Sequence, residues 1–485
     1  MKNHLKYITL ILLILFSNQS LFSQNANYYG SKEEDIANSI VLYEDNYYIL
    51  GTTRRTDKLS SDFYIVQIYA NGKVKNKFTF GAKYRDVGKD IKVNKDGIFV
   101  FGKMWEGGYP NNDMVLIKLD FEGNEQWKKF YGGHHNDLGH KFIFTKDGGF
   151  AMAGFNRSID DFGDAYLVRA DKNGELIWEN HFGDRYVDHA FDVVETTGGD
   201  FIVVGTKGGF FNPTSTDFLN HDADIYIIKT NANGEKLWEK TYGGQAHDWA
   251  KEIIKAPSGG YFICGSTQSV GAGSFDFFLM KIDDDGNELW FKTYGGDDFD
   301  YGESVRVSDD NNLYVLGSSA SYSDNYKPDH LLIKTDLNGE EIWGNTYGGD
   351  DSDYSSALIC TNDSGCVFTG WSNNGNIGKT DIVFYKISKN GETLIISNIT
   401  STDSMISANI YPNPTTNKFI VEIFAPYETP VLFHLFDING KEVLSKSLST
   451  NSKTEIKHGN NSGTYIYRIE QDGKFLYSGK LIIKN

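Results

Sequence analysis

The chain has 485 residues, of which 51 are Gly and only 8 are Pro, and 14% are aromatic. Such a composition favours many short strands joined by tight turns, and it argues against a coiled coil, a helical enzyme or a disordered chain. The net charge of −18 repels phosphate backbones and anionic lipid, so we expect no nucleic-acid partner.

Residues 1–23 are predicted to be a secretory signal peptide. Lys2 and Lys6 precede an apolar run at 8–16, and polar residues follow it up to Ser23. A basic start, a short apolar middle and small residues at the end are typical of a cleaved leader. The apolar run has nine residues, whereas a membrane-spanning helix needs about 20. We therefore expect export through the inner membrane and no transmembrane segment.

The segment 24–398 contains seven copies of one unit, each about 52 residues long. A Tyr-Gly or Phe-Gly pair marks every copy, and its Gly occurs at Gly30, Gly81, Gly132, Gly183, Gly243, Gly295 and Gly348. Five residues later each copy has an Asp, at Asp35, Asp86, Asp137, Asp188, Asp248, Asp300 and Asp353. A second Gly follows at Gly51, Gly102, Gly154, Gly205, Gly265, Gly317 and Gly370. Repeats of this length are typical of folds in which identical units stack on one another.

Each copy is predicted to contain four strands, A to D. Strand A follows the repeated Asp and strand B precedes the second Gly. Strand C follows another Asp, and strand D follows a hairpin turn such as Asn173-Gly174. A lone sheet of this size cannot bury both of its faces, whereas seven sheets arranged radially cover one another. We therefore predict an all-β fold with a seven-bladed β-propeller over residues 24–398.

A Trp occurs four residues after the hairpin Gly in five copies. These residues are Trp127, Trp178, Trp238, Trp290 and Trp343. The pattern resembles the tryptophan-docking repeat of quinoprotein-type propellers, which implies that each Trp stacks against a neighbouring blade. We carry over this packing role without the quinone cofactor. Asn76 and Ile395 occupy the position in the first and last copies, where a closure seam is expected.

The last part of the chain, from residue 399 on, does not follow the sequence pattern of the repeats. A polar linker at 399–407 is followed by four short blocks within 408–485. The blocks contain Tyr411, Pro412, Asn413, Pro414, Gly463, Tyr465, Gly479 and Lys480. Their order resembles the type A sorting domain of the type IX secretion system. This resemblance implies a small β-sandwich, the secretion machinery and its sortase as partners, and delivery to the medium or the outer-membrane cell surface.

We predict a structural role rather than metal binding for the acidic residues that recur in the repeats. An Asp at a strand entrance commonly accepts hydrogen bonds from nearby backbone amides, and one ligand has no use for seven equivalent carboxylates. We expect this role for the Asp that opens each copy. Calcium requires six to eight oxygen ligands, and the turn Asp283–Gly286 is the best candidate. We predict no resident cofactor and no other metal.

No motif for catalysis is found in the sequence. The His residues that could gather a metal are His134, His135, His140, His189 and His247. They lack a zinc-binding framework, so we predict surface roles for most of them. A sialidase-like Arg group is a further alternative, formed by Arg54, Arg55, Arg85, Arg157 and Arg185. Cys360 and Cys366 flank a predicted hairpin, and a disulfide between them is an alternative that the sequence does not decide.

Ligand recognition is expected where the copies diverge, in the B–C loops and the D–A loops on one face. The candidate residues are Trp105, Tyr109, Trp249, Tyr322, Tyr326 and Trp371, with Phe210 and Phe211 in a longer loop. Aromatic side chains can stack on sugars or anchor a protein partner. The leading hypothesis is an exported, non-enzymatic module that binds a glycan or a protein. A polysaccharide hydrolase or lyase and a purely structural surface role are the alternatives.

Overall fold

The computed structural model describes most of the chain. Its described residues are 26–55, 60–82, 84–105, 112–158, 162–184, 186–208, 222–323, 326–373, 377–394, 407–416, 418–424, 430–438, 440–457, 459, 461–471 and 474–484. The predicted signal peptide and nearly all of the predicted linker lie outside these residues. Two compact units divide the chain, one formed by 1–70 and 74–395, the other by 71–73 and 396–485.

Seven four-stranded antiparallel sheets, named blades 1 to 7, form the first unit. The first strand is β1 (Asn27–Tyr29). Blade 1 contains β2 (Asp35–Tyr43), β3 (Asn46–Arg54), β4 (Ser61–Tyr69) and β5 (Val74–Phe80). Blade 2 contains β6 (Val87–Asn94), β7 (Gly97–Trp105), β8 (Asn112–Leu119) and β9 (Glu125–Tyr131). Blade 3 contains β10 (Asp137–Phe144), β11 (Phe150–Asn156), β12 (Asp164–Ala170) and β13 (Leu176–Phe182).

The remaining blades repeat this order of strands A to D. Blade 4 contains β14 (His189–Glu195), β15 (Phe201–Lys207), β16 (Asp224–Thr230) and β17 (Lys236–Tyr242). Blade 5 contains β18 (Asp248–Lys255), β19 (Tyr261–Thr267), β20 (Asp276–Ile282) and β21 (Glu288–Tyr294). Blade 6 contains β22 (Asp300–Val307), β23 (Leu313–Ser319), β24 (Asp329–Thr335) and β25 (Glu341–Tyr347). Blade 7 contains β26 (Asp353–Cys360), β27 (Cys366–Ser372) and β28 (Asp381–Ile387), and the predicted seven-bladed propeller is confirmed.

The outer strand of blade 7 comes from the other end of the propeller. Strand β1 pairs antiparallel with β28, so that Tyr29 lies opposite Ile382. The sequence pattern placed this strand after the turn at Gly391, and that expectation is wrong for the last copy. Of the described residues that follow this turn, Thr393 forms a bridge opposite Ile387, and Leu394 N donates to the carbonyl of Lys386 at 2.7 Å. Pairing the first strand with the last blade joins the chain ends by hydrogen bonds and removes an open edge.

Strands B and C are buried on both faces, and the core lies between adjacent blades. Strand β11 is buried at all seven residues. Its Phe150 and Met152 pack with Phe101 and Met114 of blade 2 in one apolar cluster. Because each blade is covered by a neighbour on each side, these strands read as continuous apolar runs.

Every strand A contains a β-bulge three residues after the repeated Asp. The bulged residues are Asn38, Lys89, His140, Phe191, Lys251, Glu303 and Ser356. The second repeated Gly lies opposite the bulge, where the backbone of strand A approaches closely. In blade 4 a Cβ on Gly205 would lie 1.8 Å from the carbonyl oxygen of His189. This contact explains why the position is Gly in all seven copies.

The repeated Asp closes the entrance to strand A, as predicted. In blade 3 the backbone N–H of Gly133 donates to Asp137 Oδ2 at 2.7 Å, and that of Arg157 donates to Oδ1 at 2.9 Å. Ser158 Oγ donates to the same carboxylate at 2.9 Å. Asp137 is fully buried, and these donors replace the water that it loses.

Each docking Trp lies against the hairpin turn of the next blade. Trp178 of blade 3 donates from Nε1 to the carbonyl of Ala232 at 3.2 Å. Gly234, in the same turn of blade 4, has φ +83°, and a Cβ there would lie 2.8 Å from the Trp178 ring. The rings of Trp127, Trp238, Trp290 and Trp343 meet Gly174, Gly286, Gly339 and Gly391 in the same way. We name this set of five contacts the Trp seam.

The second unit is a β-sandwich, as predicted. One sheet has the strand order β29 (Ser407–Tyr411), β30 (Lys418–Phe424), β33 (Lys453–Lys457). The other has the order β32 (Glu442–Ser449), β31 (Pro430–Phe436), β34 (Gly463–Gln471), β35 (Lys474–Ile483). Phe419 and Val421 of the first sheet share a core with Phe433 and Ile469 of the second.

The first and last sequence blocks of this unit lie side by side. Asn413 Nδ2 donates to the carbonyl of Lys480 at 2.8 Å, and Ile482 N donates to Asn413 Oδ1 at 2.9 Å. The flanking Tyr411-Pro412 and Asn413-Pro414 bonds are both cis. A Cβ on Gly479 would lie 2.3 Å from Tyr467 Oη, which accounts for Gly in the last block. The Tyr465 ring is buried and its hydroxyl donates to the carbonyl of Asn461 at 2.8 Å.

Candidate functional site

A partly open cavity of about 270 Å³ lies where the seven inner strands converge. All seven blades contribute to its lining. The lining residues are Asn38, Lys89, His140, Lys141, Phe191, Lys251, Tyr301, Glu303, Ser318, Tyr354, Ser355, Ser356 and Trp371. The volume is slightly below the roughly 300–1,000 Å³ of pockets that enclose a whole drug-sized ligand. The cavity therefore suits one small group or one residue of a larger ligand.

All seven bulged residues line this cavity. We name them the bulge ring. A bulge adds one residue to the strand and re-aims its side chain, so each blade presents one side chain to the common centre. The backbone geometry is the same in all seven copies, but the side chains comprise an amide, two ammonium groups, an imidazole, a phenyl ring, a carboxylate and a hydroxyl. The scaffold is therefore constant while its chemistry varies.

The residue directly after each bulged residue lies where neighbouring blades meet. We name these seven residues the belt: Ser39, Asp90, Lys141, Asp192, Glu252, Ser304 and Ala357. In four blades the belt side chain accepts a hydrogen bond from a backbone N–H of the next blade. These bonds run from Phe142 to Asp90, Ile253 to Asp192, Val305 to Glu252 and Leu358 to Ser304, at 3.2, 3.0, 2.8 and 3.4 Å. Ser39 Oγ donates to Asp90 Oδ1 at 2.8 Å. The belt therefore ties adjacent blades together.

Glu252 is the most highly connected belt residue. It is 3% exposed and forms ion pairs with Lys141 and Arg306, and Ser304 Oγ donates to it at 2.8 Å. Burial alone would raise the pKa of Glu252, but the two cations outweigh burial and hold the pKa well below its usual range. Asp192, 3.9 Å from Lys141, is buried, and burial raises its pKa to about 6. The belt carboxylates are thus neutralised by Lys141 of the belt and by Lys92 and Arg306 beside it.

The cations of the bulge ring are less well balanced. Burial, with help from the charges of Lys251 and Lys103, lowers the pKa of Lys89 to about 8. Lys251 lies 3.8 Å from Glu303 and 4.9 Å above the Phe191 ring. Burial also lowers the pKa of His140 well below its usual range, so this imidazole is neutral near pH 7. The lining therefore carries a local positive charge inside a protein of net charge −18.

Aromatic side chains form one side of the cavity. The rings of Tyr354 and Trp371 are stacked with centroids 4.2 Å apart. Tyr301 lies one blade away, and Trp249 stacks on it at 6.2 Å. Phe275 packs on Trp249 at 4.9 Å. Tyr301, Tyr354 and Trp371 line the cavity itself, so aromatic faces and charged groups meet in one space.

The sequence-predicted ligand residues fall in different places. Trp371 lines the cavity, and Trp249 borders it through Tyr301. Trp105 packs edge-on against Tyr84 at 4.1 Å. Tyr322 donates to the carbonyl of Gly295 at 2.9 Å. Tyr326, 80% exposed with φ 60°, is not among the described lining residues. Tyr109, Phe210 and Phe211 lie outside the described residues.

The His residues divide into surface and interior positions. His134 and His135 are exposed, and His247 Nδ1 accepts from Ala223 N at 3.3 Å. The rings of His140 and His189 lie 5.6 Å apart, and burial lowers the pKa of His189 to about 4. Within the described part of the chain no three His, Cys, Asp or Glu side chains are grouped as metal ligands.

The Asp of the candidate calcium turn and two of the candidate Arg residues bind groups close to them in the fold. Asp283 accepts from the backbone N–H of Asp285 and Asn287 at 2.9 and 2.8 Å within its own turn. Arg54 pairs with Glu34, and Arg55 pairs with Asp62. Arg185 lies outside the described residues. Cys360 and Cys366 are cross-strand partners, and both are free thiols.

Sequence reasoning missed the bulge ring and two of the aromatic residues, Tyr301 and Tyr354. A signal for the ring was present, because the position three residues after the repeated Asp differs in every copy except Lys89 and Lys251. The position one residue after the same Asp is aliphatic in blades 1 to 3. In the other blades it is His189, Trp249, Tyr301 and Tyr354. Divergence inside strand A, rather than in the loops alone, marks the cavity.

Comparison with known proteins identifies the C-terminal unit. Residues 409–484 match the family model of the secretion system C-terminal sorting domain, which confirms the assignment from the sequence blocks. The presence of a type IX sorting domain implies export to the outer membrane or cell surface. Across the described residues no helix is long and apolar enough to cross a membrane. No curated protein matches the sequence.

The propeller is similar in fold to several solved structures. Pyrococcus horikoshii acylaminoacyl peptidase is 10% identical with a TM-score of 0.42, over 81% of this chain and 58% of that chain. Puromycin hydrolase is 10% identical with a TM-score of 0.47, over 92% and 62%. The β-propeller domain of the Trilobed protease from Pyrococcus furiosus is 10% identical with a TM-score of 0.42, over 78% and 97%. The chain spans about three fifths of the length of the first two.

Proposed function

We propose that the protein is an exported binding module that holds a saccharide at the central cavity of its propeller. The observation that carries this proposal is the shared lining of the cavity, in which Tyr301, Tyr354 and Trp371 face the same space as the bulge ring. Aromatic faces bind the apolar faces of sugar rings, and a few polar groups then fix orientation. The sorting domain supports a site of action outside the cell.

A glycan is favoured over a protein partner by the shape of the site. A protein interface of standard size buries about 800 Å² on each partner, whereas this site is a cavity of about 270 Å³. Its aromatic residues form one side of a concave space rather than a flat exposed patch. The cavity thus suits a single sugar residue at the end of a chain or on a branch.

The hydrolase alternative receives less support from the lining. Glycoside hydrolysis canonically uses two carboxyl groups that flank the scissile bond. Among the described lining residues Glu303 is the one carboxylate, and it pairs with Lys251 at 3.8 Å. The lyase alternative makes a separate prediction, the appearance of unsaturated ends when a polysaccharide is incubated with the protein.

A glycan-array screen with the purified protein tests the proposal. We expect a saturable hit that a Tyr354→Ala/Trp371→Ala double variant weakens at least tenfold, because one aromatic face of the cavity is removed. Tyr326→Ala is the matched control, since this ring is 80% exposed and is outside the lining. A blank array, or a hit that both variants retain, would contradict the proposal.

A further inference from the structure

The cavity contains more positive than negative charge. Three lysines line it, Lys89, Lys141 and Lys251, together with Glu303 and His140. Lys141 pairs with Glu252 of the belt. Lys251 forms an ion pair with Glu303 at 3.8 Å. Because the His140 imidazole is neutral near pH 7, Glu303 balances Lys251 and one lysine charge stays unbalanced. That charge belongs to Lys89.

Lys89 forms no ion pair with a described residue, although the charge of Glu303 is near enough to favour the ammonium. Its side chain donates no hydrogen bond to any described residue. Burial, with the neighbouring charges of Lys251 and Lys103, disfavours its protonated form and outweighs the favourable charge of Glu303. Placing an ammonium group in a partly buried position beside like charges costs free energy unless an anion accompanies it. The ammonium is thus arranged to receive a negative group from outside the chain.

His140 adds an unpaired polar atom beside the same space. Its Nε2 is buried and has no hydrogen-bond partner among the described residues. The ring packs on Phe191 at 4.7 Å and lies close to His189. Burial keeps the imidazole neutral, so it does not add a third charge. Lys89 and His140 Nε2 therefore both lack a hydrogen-bond partner among the described residues, whereas Glu252 of the belt has several.

We infer that the cavity receives the anionic group of an acidic saccharide, a carboxylate or a sulfate, with Lys89 as its principal partner and Lys251 beside it. This inference rests on the proposed function, because the sugar ring would stack on Tyr354 and Trp371. The protein as a whole has a net charge of −18 and repels anions. A single positive position at the centre therefore selects an anionic sugar by position rather than by general attraction.

Titration with three small sugars tests the inference on the full chain. Glucuronate, glucose 6-sulfate and glucose are compared by calorimetry or by Trp fluorescence, since Trp371 lines the cavity. We expect the two anionic sugars to bind at least tenfold more tightly than glucose. Lys89→Met should abolish that difference. Lys95→Met should keep it, because Lys95 lies in the same blade with a side chain that is 87% exposed.

A second measurement needs no variant. In competitive acetylation of the native protein, glucuronate or inorganic sulfate should protect Lys89 at least fivefold relative to Lys95, and glucose should not. Binding of neutral and acidic sugars with equal affinity would overturn the inference while leaving the proposed function intact. Protection of Lys89 by sulfate without binding of any sugar would leave the anion position intact and overturn the proposed function. Absence of both protection and preference would overturn the anion position.

Discussion

The outer and inner edges of the propeller come from the same repeat, but a different feature recurs from blade to blade at each edge. At the outer edge the Trp seam repeats one side chain in one contact, such as Trp178 on Gly234. At the inner edge the bulge ring repeats one backbone distortion while its side chains differ, as Lys89 and Glu303 do. A repeated side chain builds the scaffold, whereas a repeated backbone position with a varied side chain is available for recognition.

The same contrast occurs between consecutive residues of one strand. Lys251 belongs to the bulge ring and lines the cavity, while the next residue, Glu252, belongs to the belt and is 3% exposed. One residue along the strand thus separates a side chain that lines the cavity from one that holds blades together. Substitutions at the two positions should therefore have different effects on stability.

The largest effect is expected at the belt. Glu252→Ala should lower the free energy of unfolding by about 3–5 kcal/mol, because Arg306 and Lys141 would lose their buried partner. Glu303→Ala, in the bulge ring of the next blade, should cost less than about 1 kcal/mol, since its ion pair is long and partly exposed. Urea unfolding of both variants measures the difference. Equal losses would remove the distinction between belt and ring.

A smaller effect is expected at the Trp seam. Trp178→Ala should cost about 2 kcal/mol, less than the 3–5 kcal/mol of a fully buried Trp, because the side chain is only partly buried. Ile177→Ala, at the preceding residue, is the control. The Ile177 side chain is 54% exposed, so its removal should cost less than about 0.5 kcal/mol. Thermal unfolding reports both changes. A loss no greater than that of the control would show that the seam packs without stabilising.

The repeat allowed the blade number and the strand order to be predicted, and the structure explains why. Gly205 and the six equivalent residues are fixed by contact with strand A. Asp137 and its equivalents are fixed by the hydrogen bonds that they accept from backbone N–H groups. These constraints act within one blade or between neighbours, so they leave a periodic mark in the sequence. The pairing of β1 with β28 joins segments more than 350 residues apart, and no local pattern records it.

The site was predicted only in part for the same reason. The aromatic candidates Trp249 and Trp371 lie at or beside the cavity, whereas Tyr322 and Tyr326 occupy divergent loops that are not part of its described lining. Loop divergence indicates freedom to vary, which many surface positions share. Convergence of seven strands on one centre depends on blade geometry, and Lys89 becomes a candidate only once that centre is known.

The smallest effect concerns the charge of Lys89 itself. Its pKa is lowered in the folded protein to about 8, whereas an unfolded Lys titrates near 10.4. Between these values the unfolded chain binds more protons, so this residue makes stability rise as pH increases from about 8 to 10. Lys251, Lys103, His140 and Glu303 are the charged or titratable groups that face it. Because Lys89→Met lacks this term, its stability relative to the native protein should fall over that range, as urea unfolding at matched pH would measure, and a constant difference would mean that the ammonium of Lys89 is already balanced.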